Sequence, residues 1–339
     1  MKAAVVVLVF VLIGFGTLVI WDIKKGDILT NPVLQKTVQS KPKPLEKYEI
    51  EKLASTKFLP SKIEIGNVIA ETQEYSSRYF YFWDNDKRVS GLLNLPKTGG
   101  SHPIIIMYRG YIDPETFKTG DGTRNTAVEF AKAGFVTLAP DFLGYGQSDM
   151  PSASGIGERF QTYTTAATLL MSVDNLNRAF KDAGIEISAD SSKVGIWGHS
   201  NGGQITLTVL EITGVSYPTV LWAPVSKPFP YSILYYTDDI PDHGKGLRKV
   251  VSDFEKDYDS EKFSLTNYLD KINAPIFLFQ GTIDEAVPEK WSSDLARALK
   301  DLGKDIEYFA YPGEDHNFTK GSWKAVVSKS LNFFNEKLK

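Results

Sequence analysis

One serine in the chain is fenced by glycines, Gly198-His199-Ser200-Asn201-Gly202, inside the stretch "VGIWGHSNGGQITL" from Val194 to Leu207. The pattern G-x-S-x-G can be a plain turn or can present a nucleophile. It gains chemical meaning between a strand and a helix, where the sharp junction strains the serine backbone and lifts its hydroxyl to the mouth of a sheet. Both neighbours are expected here. "KVGIWG" reads as a strand, and a helix from Asn201 would turn its N-terminal dipole toward developing negative charge. A serine hydroxyl is a weak nucleophile near neutral pH and needs a base. The chain holds four histidines. His102 begins a strand at the opposite end of the sheet, His199 abuts Ser200 and should point elsewhere, and His243 falls in a long insertion. His316, in "YPGEDHNF", follows the last expected strand, and parallel strands present their C-terminal ends on one edge. His316 is therefore the expected base. Such a base needs a carboxylate to fix its tautomer and to stabilise the imidazolium. Asp284, in "FQGTIDEAVP", lies on the same edge; its neighbours Glu285 and Asp315 read as solvated charges. Two donors for an oxyanion are expected, the backbone N–H of Asn201 and that of Tyr111, after the "PIIIMY" strand. The Arg109 side chain either contacts substrate or pairs with Asp141.

These groups converge only if the elements between them alternate in the right way. "YSSRYFYFWDNDKRVSGLLNLP" reads as two strands around the turn "DNDK". Then come a strand in "HPIIIMYRG", a helix in "TAVEFAKAG", a strand in "FVTLAPDFLGYGQSD" and a helix in "TYTTAATLLMSVDNLNRAF". After the serine follow strands in "PTVLWAPV", "APIFLFQG" and "IEYFAY", with helices after the last two. The alternation predicts an α/β fold, a mainly parallel twisted sheet with helices on both faces and an antiparallel pair at its start. Residues 226–272 interrupt the rhythm without a clear strand and are expected to form a cap over the active edge. Within that cap Phe229, Tyr231, Tyr235 and Tyr236 are candidates for lining a substrate pocket, or for packing the cap onto the body.

Composition sets the outer limits. The chain has 339 residues, of which 42% are hydrophobic and 23% charged, so it is long enough for one large α/β domain. A net charge of -3 gives no reason to expect a nucleic-acid partner. There is no cysteine, which excludes disulfides, thiolate metal sites and a cysteine nucleophile. No metal and no organic cofactor is indicated. Residues 3–20 form an uncharged apolar run followed by Trp21, close to the length that spans a bilayer, with no good small-x-small cleavage site at its end. Residues 1–21 are expected to be an uncleaved membrane anchor with the catalytic domain outside the cytoplasm; a cleaved signal, giving a secreted protein, is the rival. Residues 22–61, rich in Pro and Lys, read as a solvated linker leading to a domain over 62–339.

Taken together, "RVSGLLNLP", "PIIIMYRGY", "TLAPDFLGYGQSD", "GIWGHSNGG", "LDKINAPIFLFQGTIDEAVP" and "YPGEDHNF" resemble the catalytic domain of the prolyl oligopeptidase family and related α/β-hydrolase esterases, dienelactone-hydrolase-like enzymes included. The order Ser200, Asp284, His316 is that of α/β-hydrolases. The resemblance implies a serine hydrolase with Ser200 as nucleophile, Asp284 as orienting acid and His316 as base. The chain departs from it in three ways. Residues 22–61 leave no room for a β-propeller, Arg109-Gly110-Tyr111 stands where many esterases have His-Gly-Gly, and dienelactone hydrolases use a cysteine. Three functions are consistent with this: an esterase working through an acyl-enzyme, a peptidase of short peptides with the same machinery, and a binding protein that has lost the chemistry.

Overall fold

Runs such as "PIIIMY" and "KVGIWG" have no polar alternate positions, so the strands they form need cover on both faces. The computed structural model describes residues 42–152, 155–237 and 241–339. Its strands are β1 (Ile63–Glu71), β2 (Tyr75–Asp84), β3 (Lys87–Pro96), β4 (Ser101–Tyr108), β5 (Val136–Pro140), β6 (Ser188–His199), β7 (Thr219–Trp222), β8 (Ile276–Gly281) and β9 (Ile306–Tyr311). They form one sheet in the order β1-β2-β3-β5-β4-β6-β7-β8-β9. The first three strands and the β3–β5 pairing are antiparallel, and every pairing from β5 to β9 is parallel. The chain turns outward in both directions from β4 and β6, so a crevice opens at their carboxyl ends, the place where open sheets bind ligands.

Period-two alternation divides β4 between two cores. Ile105 and Met107 pack with Phe130, Trp197 and Phe334, under helices α2 (Arg124–Lys132) and α9 (Trp323–Leu338). Ile104, Ile106 and Tyr108 face the other way, toward α3 (Ile156–Met171), α4 (Leu176–Asp182) and α5 (Asn201–Thr213). The remaining long helix, α8 (Glu289–Asp301), buries Trp291, Leu295 and Leu299; Leu302 lies past its end and is exposed.

Two expectations need correction. The linker does not run to Ser61. Leu45–Ala54 forms a 3-10 turn (Glu46–Tyr48) and a short helix, α1 (Ile50–Ala54), which bury Tyr48, Ile50 and Leu53. The Leu45 N–H donates to the Tyr258 hydroxyl at 3.1 Å, so the domain begins near Leu45. Three apolar residues among Lys, Glu and Pro make too short a pattern to stand out. The expected helix through Phe180 is broken after Met171 by a 3-10 turn, Val173–Asn175. There the Ser172 hydroxyl donates back to the Thr168 carbonyl and accepts from the Ser61 N–H, tying the break to the entry of β1. The apolar run 3–20 lies outside the described residues; among those described, no helix is long and apolar enough to cross a membrane.

The insertion after β7 carries α6 (Tyr231–Leu234), α7 (Lys245–Glu255) and three 3-10 turns between Ser260 and Lys271. Phe160 of α3 holds it down, with ring centres 4.8 Å from Phe263, 5.3 Å from Phe229 and 6.0 Å from Phe254. Phe229 thus belongs to this packing, buried in the core. Phe160→Ala should cost about 3–5 kcal/mol, against less than about 1 kcal/mol for the exposed Tyr231→Ala. Urea midpoints of the two variants compare them; equal shifts would show that the aromatic cluster carries no special share of the stability.

Candidate active site

At the junction of β6 and α5, Ser200 has φ 58° and ψ −121°, a region in which side chains are rarely tolerated and which costs roughly 1–3 kcal/mol. Backbone bonds hold it there. Its N–H donates to the Trp222 carbonyl at 2.9 Å, and its carbonyl accepts from Gly203 and Val225, both at 3.0 Å. The glycines around it answer to space. A Cβ on Gly202 would overlap the Tyr108 carbonyl, and one on Gly198 would strike Thr206. Asn201 opens α5, so its N–H has no carbonyl one turn back in the helix. Gly110 lies against the nucleophile, where a Cβ would be 3.0 Å from the Ser200 Cβ. Tyr111 follows directly, and its ring is 73% exposed.

The loops after β8 and β9 bring up the other pair. His316 Nδ1–H donates to Asp284 Oδ2 at 2.7 Å; the Asp284 side chain is fully buried and that of His316 is 17% exposed. The other carboxylate oxygen accepts from the Ala286 and Val287 amides at 2.9 and 2.8 Å, and Gln280 Nε2 donates to Oδ2 at 2.9 Å. Gln280 is itself fixed by the Ser292 hydroxyl, 2.7 Å from its Oε1. With Nδ1 committed, Nε2 of the neutral ring is left with its lone pair, as a base requires. The His316 loop is anchored by buried Glu314, which accepts from the Lys320 and Ser322 amides at 3.0 and 2.7 Å. The Ser200 hydroxyl makes no hydrogen bond to the imidazole among the contacts of the described residues, a looseness common before substrate binds. Asp315 turns to its own loop, accepting from the Asn317 and Thr319 amides.

His199 points away from the nucleophile and under the base. Its ring centre is 4.6 Å from that of His316, and its Nε2–H donates to the His316 carbonyl at 3.1 Å. Burial, reinforced by the neighbouring imidazole, pushes its pKa down to about 3, so it stays uncharged beneath a group that must accept a proton.

Arg109 is engaged with the backbone. It is buried, donates to the Gly110 carbonyl at 2.9 Å and the Asp141 carbonyl at 2.7 Å, and stacks on Phe117 and Tyr145. It clamps the loop bearing Gly110 and Tyr111 to the end of β5, through the Asp141 backbone and not its carboxylate. Tyr235 and Tyr236 gather with Tyr231 around Trp291, the nearest ring centres being 4.8 Å apart. Burial, with a smaller contribution from the charge of Asp284, raises the Tyr236 pKa. Arg159 gave no signal in sequence; its Nη2 donates to Asn201 Oδ1 at 3.2 Å and Gln204 Oε1 at 2.7 Å. Gln280 was legible only as a polar residue closing an apolar strand. Among the described residues no group of three His, Asp or Glu side chains is placed to hold a metal ion.

The sheet order and the strained serine at its switch point are those of an α/β-hydrolase. The chain belongs to the prolyl oligopeptidase family, whose sequence pattern matches residues 123–339. It is 28% identical over 249 residues to the "uncharacterized peptidase YtmA" of Bacillus subtilis, an alignment covering 73% of this chain and 88% of that protein. Among solved structures, the acetyl xylan esterase of Paenibacillus sp. R4 superposes with a TM-score of 0.61 at 18% identity, covering 88% of this chain and 98% of that one. Acetyl xylan esterase 1 of Thermoanaerobacterium sp. gives 0.56 at 19% identity, over 86% and 94%.

The depressed pKa of His199 has a pH consequence. Between about pH 6.5 and 3 the unfolded chain binds a proton there that the folded chain refuses, so stability falls as pH falls through that window. The contribution should be about 2 kcal/mol between pH 7 and pH 5. His199→Gln should flatten the wild-type slope of urea midpoint against pH by that amount; parallel slopes would place the histidine in contact with water.

Proposed function

We propose that the protein hydrolyses carboxylic esters through an acyl-enzyme formed on Ser200. The observation that carries this is the 2.7 Å bond between buried Asp284 and the Nδ1 of His316, on the edge where the strained serine stands. In the acylation step Ser200 Oγ bonds to the ester carbonyl carbon while His316 Nε2 takes the hydroxyl proton. The carbonyl oxygen gathers charge, and the amides of Asn201 and Tyr111 are the donors in reach of it. The tetrahedral intermediate collapses as Nε2 returns the proton to the leaving alcohol. Water then enters, gives its proton to the same nitrogen and releases the carboxylic acid from Oγ. Asp284, already holding four donors, stabilises the imidazolium without taking its proton. Tyr231 and Tyr235, packed on Trp291 and partly exposed, are the candidate contacts for the apolar part of a small ester. The esterase-like architecture of the solved structures supports the same reading.

A second reading keeps every step and replaces the ester by a short peptide. Likeness to YtmA across most of that protein's length favours it. Comparison of p-nitrophenyl esters with aminoacyl and prolyl amides separates the two; higher kcat/KM on amides would reverse the order. We further propose that residues 1–21 tether the enzyme to a membrane with its catalytic domain outside the cytoplasm, supported by the apolar run 3–20 and Trp21. Persistence in the membrane fraction after alkaline carbonate washing is the expected result, and complete release would refute the tether.

Ser200→Ala should lower kcat/KM on p-nitrophenyl acetate by about 10⁴-fold or more and abolish labelling by a fluorophosphonate. Labelling that persists in the variant would move the nucleophile elsewhere.

A further inference from the structure

A cavity of about 200 Å³ opens beside the nucleophile, lined by Arg109, Tyr111, Tyr145, Glu158, Arg159 and Asn201 among others. Its walls come from the loops after β4 and β5 and from α3 and α5. None of its lining residues belongs to the Asp284 or His316 loops, which reach the crevice from the β8 and β9 side. The leaving group of a bound ester must lie at His316 to receive its proton. The cavity, on the other side of the oxyanion donors, is left for the acyl part.

Its charge balance is unusual. Arg159 Nη2 donates to two neutral acceptors, Asn201 and Gln204, and the Tyr163 and Tyr236 hydroxyls lie within its field. Its Nε is buried and has no partner, and so is that of Arg109, whose other nitrogens are spent on backbone carbonyls. Among the described residues neither guanidinium has a carboxylate ion pair. Asp141 is the acid nearest Arg109, but its carboxyl is occupied by the Ser90 and Thr119 hydroxyls, and burial raises its pKa. Glu158 is the one carboxylate among the lining residues; it is exposed and pairs with neither arginine. Among the described lining residues two cations therefore meet one solvated anion, an arrangement that an incoming anion satisfies.

We propose that this cavity binds a carboxylate on the acyl chain of the substrate, with Arg159 as the contacting cation, so that the preferred substrates are monoesters of short dicarboxylic acids. The proposal rests on the acyl-enzyme reading and assigns the acyl specificity of that site. Arg109 contributes positive potential from behind the loop, and Arg159 acts at its rim.

The test compares monoethyl succinate with ethyl butyrate, equal in alcohol and similar in acyl length, by proton release in a pH-stat. The ratio of their kcat/KM values removes any general damage to the site. The wild type should favour the succinate about tenfold, and Arg159→Gln should lower the ratio about 30-fold. Arg159→Lys should keep part of the preference, and Glu158→Gln, at an exposed position, should raise it severalfold. A wild-type ratio of one or below overturns the proposal, as does an unchanged ratio in an Arg159→Gln enzyme that still labels with fluorophosphonate. Failure of the wild type to label at Ser200 would instead remove the acyl-enzyme, and this specificity with it.

Discussion

Ser200 can stand at φ 58° only because the chain on either side of it has no room to relax. The β6 strand enters the junction already paired to β4 and β7, and α5 leaves it with Gly202 pressed on the Tyr108 carbonyl. Bonds from Ser200 to Trp222, Gly203 and Val225 close the remaining freedom. The strain is local and the restraint is distributed, which is how a few kcal/mol of unfavourable backbone persists in a marginally stable chain. The same restraint fixes where every other reacting group must come. Tyr111 arrives from β4, the strand beside the serine, while Asp284 and His316 arrive from two and three strands away. The site is therefore a property of strand order more than of any one loop.

Electrostatics follows from that placement. The Asp284 side chain is fully buried, and two backbone amides, Gln280 and His316 donate to its carboxylate. Four donors fix the carboxylate in place, and it fixes the orientation of the histidine in turn. Beneath the histidine lies a second imidazole that burial keeps neutral. A charged His199 in ring contact with His316 would oppose the imidazolium that catalysis requires. A neutral one supplies a polarisable floor and a donor to the His316 backbone.

The candidate site residues were legible because each sits at the C-terminal end of a recognisable strand. Strands announce themselves by apolar runs, and parallel order brings their ends together. Ser200, Asp284 and His316 needed little more. What surrounds them was not legible, because it is set by contacts between elements with no local pattern. Gln280, Ser292 and Glu314 are buried polar residues that look ordinary until their partners are known. Arg109, read as a ligand contact or a partner of a carboxylate, holds two backbone carbonyls instead. Phe229 carries the same aromatic signal as Tyr235, and only the position of Phe160 separates packing from pocket. The apolar residues of Leu45–Ala54 failed for a different reason: five helical residues give too little periodicity to separate a docked segment from a solvated one.

The floor of the site also contains indoles. Trp197 and Trp222 lie 6.0 and 6.4 Å from the His199 ring, and Trp222 packs on Phe318 two residues after the base. Indole emission responds to the charges and dipoles next to the ring. Two natural fluorophores thus stand one imidazole away from His316, where a change of charge on that ring would alter their emission without an added dye.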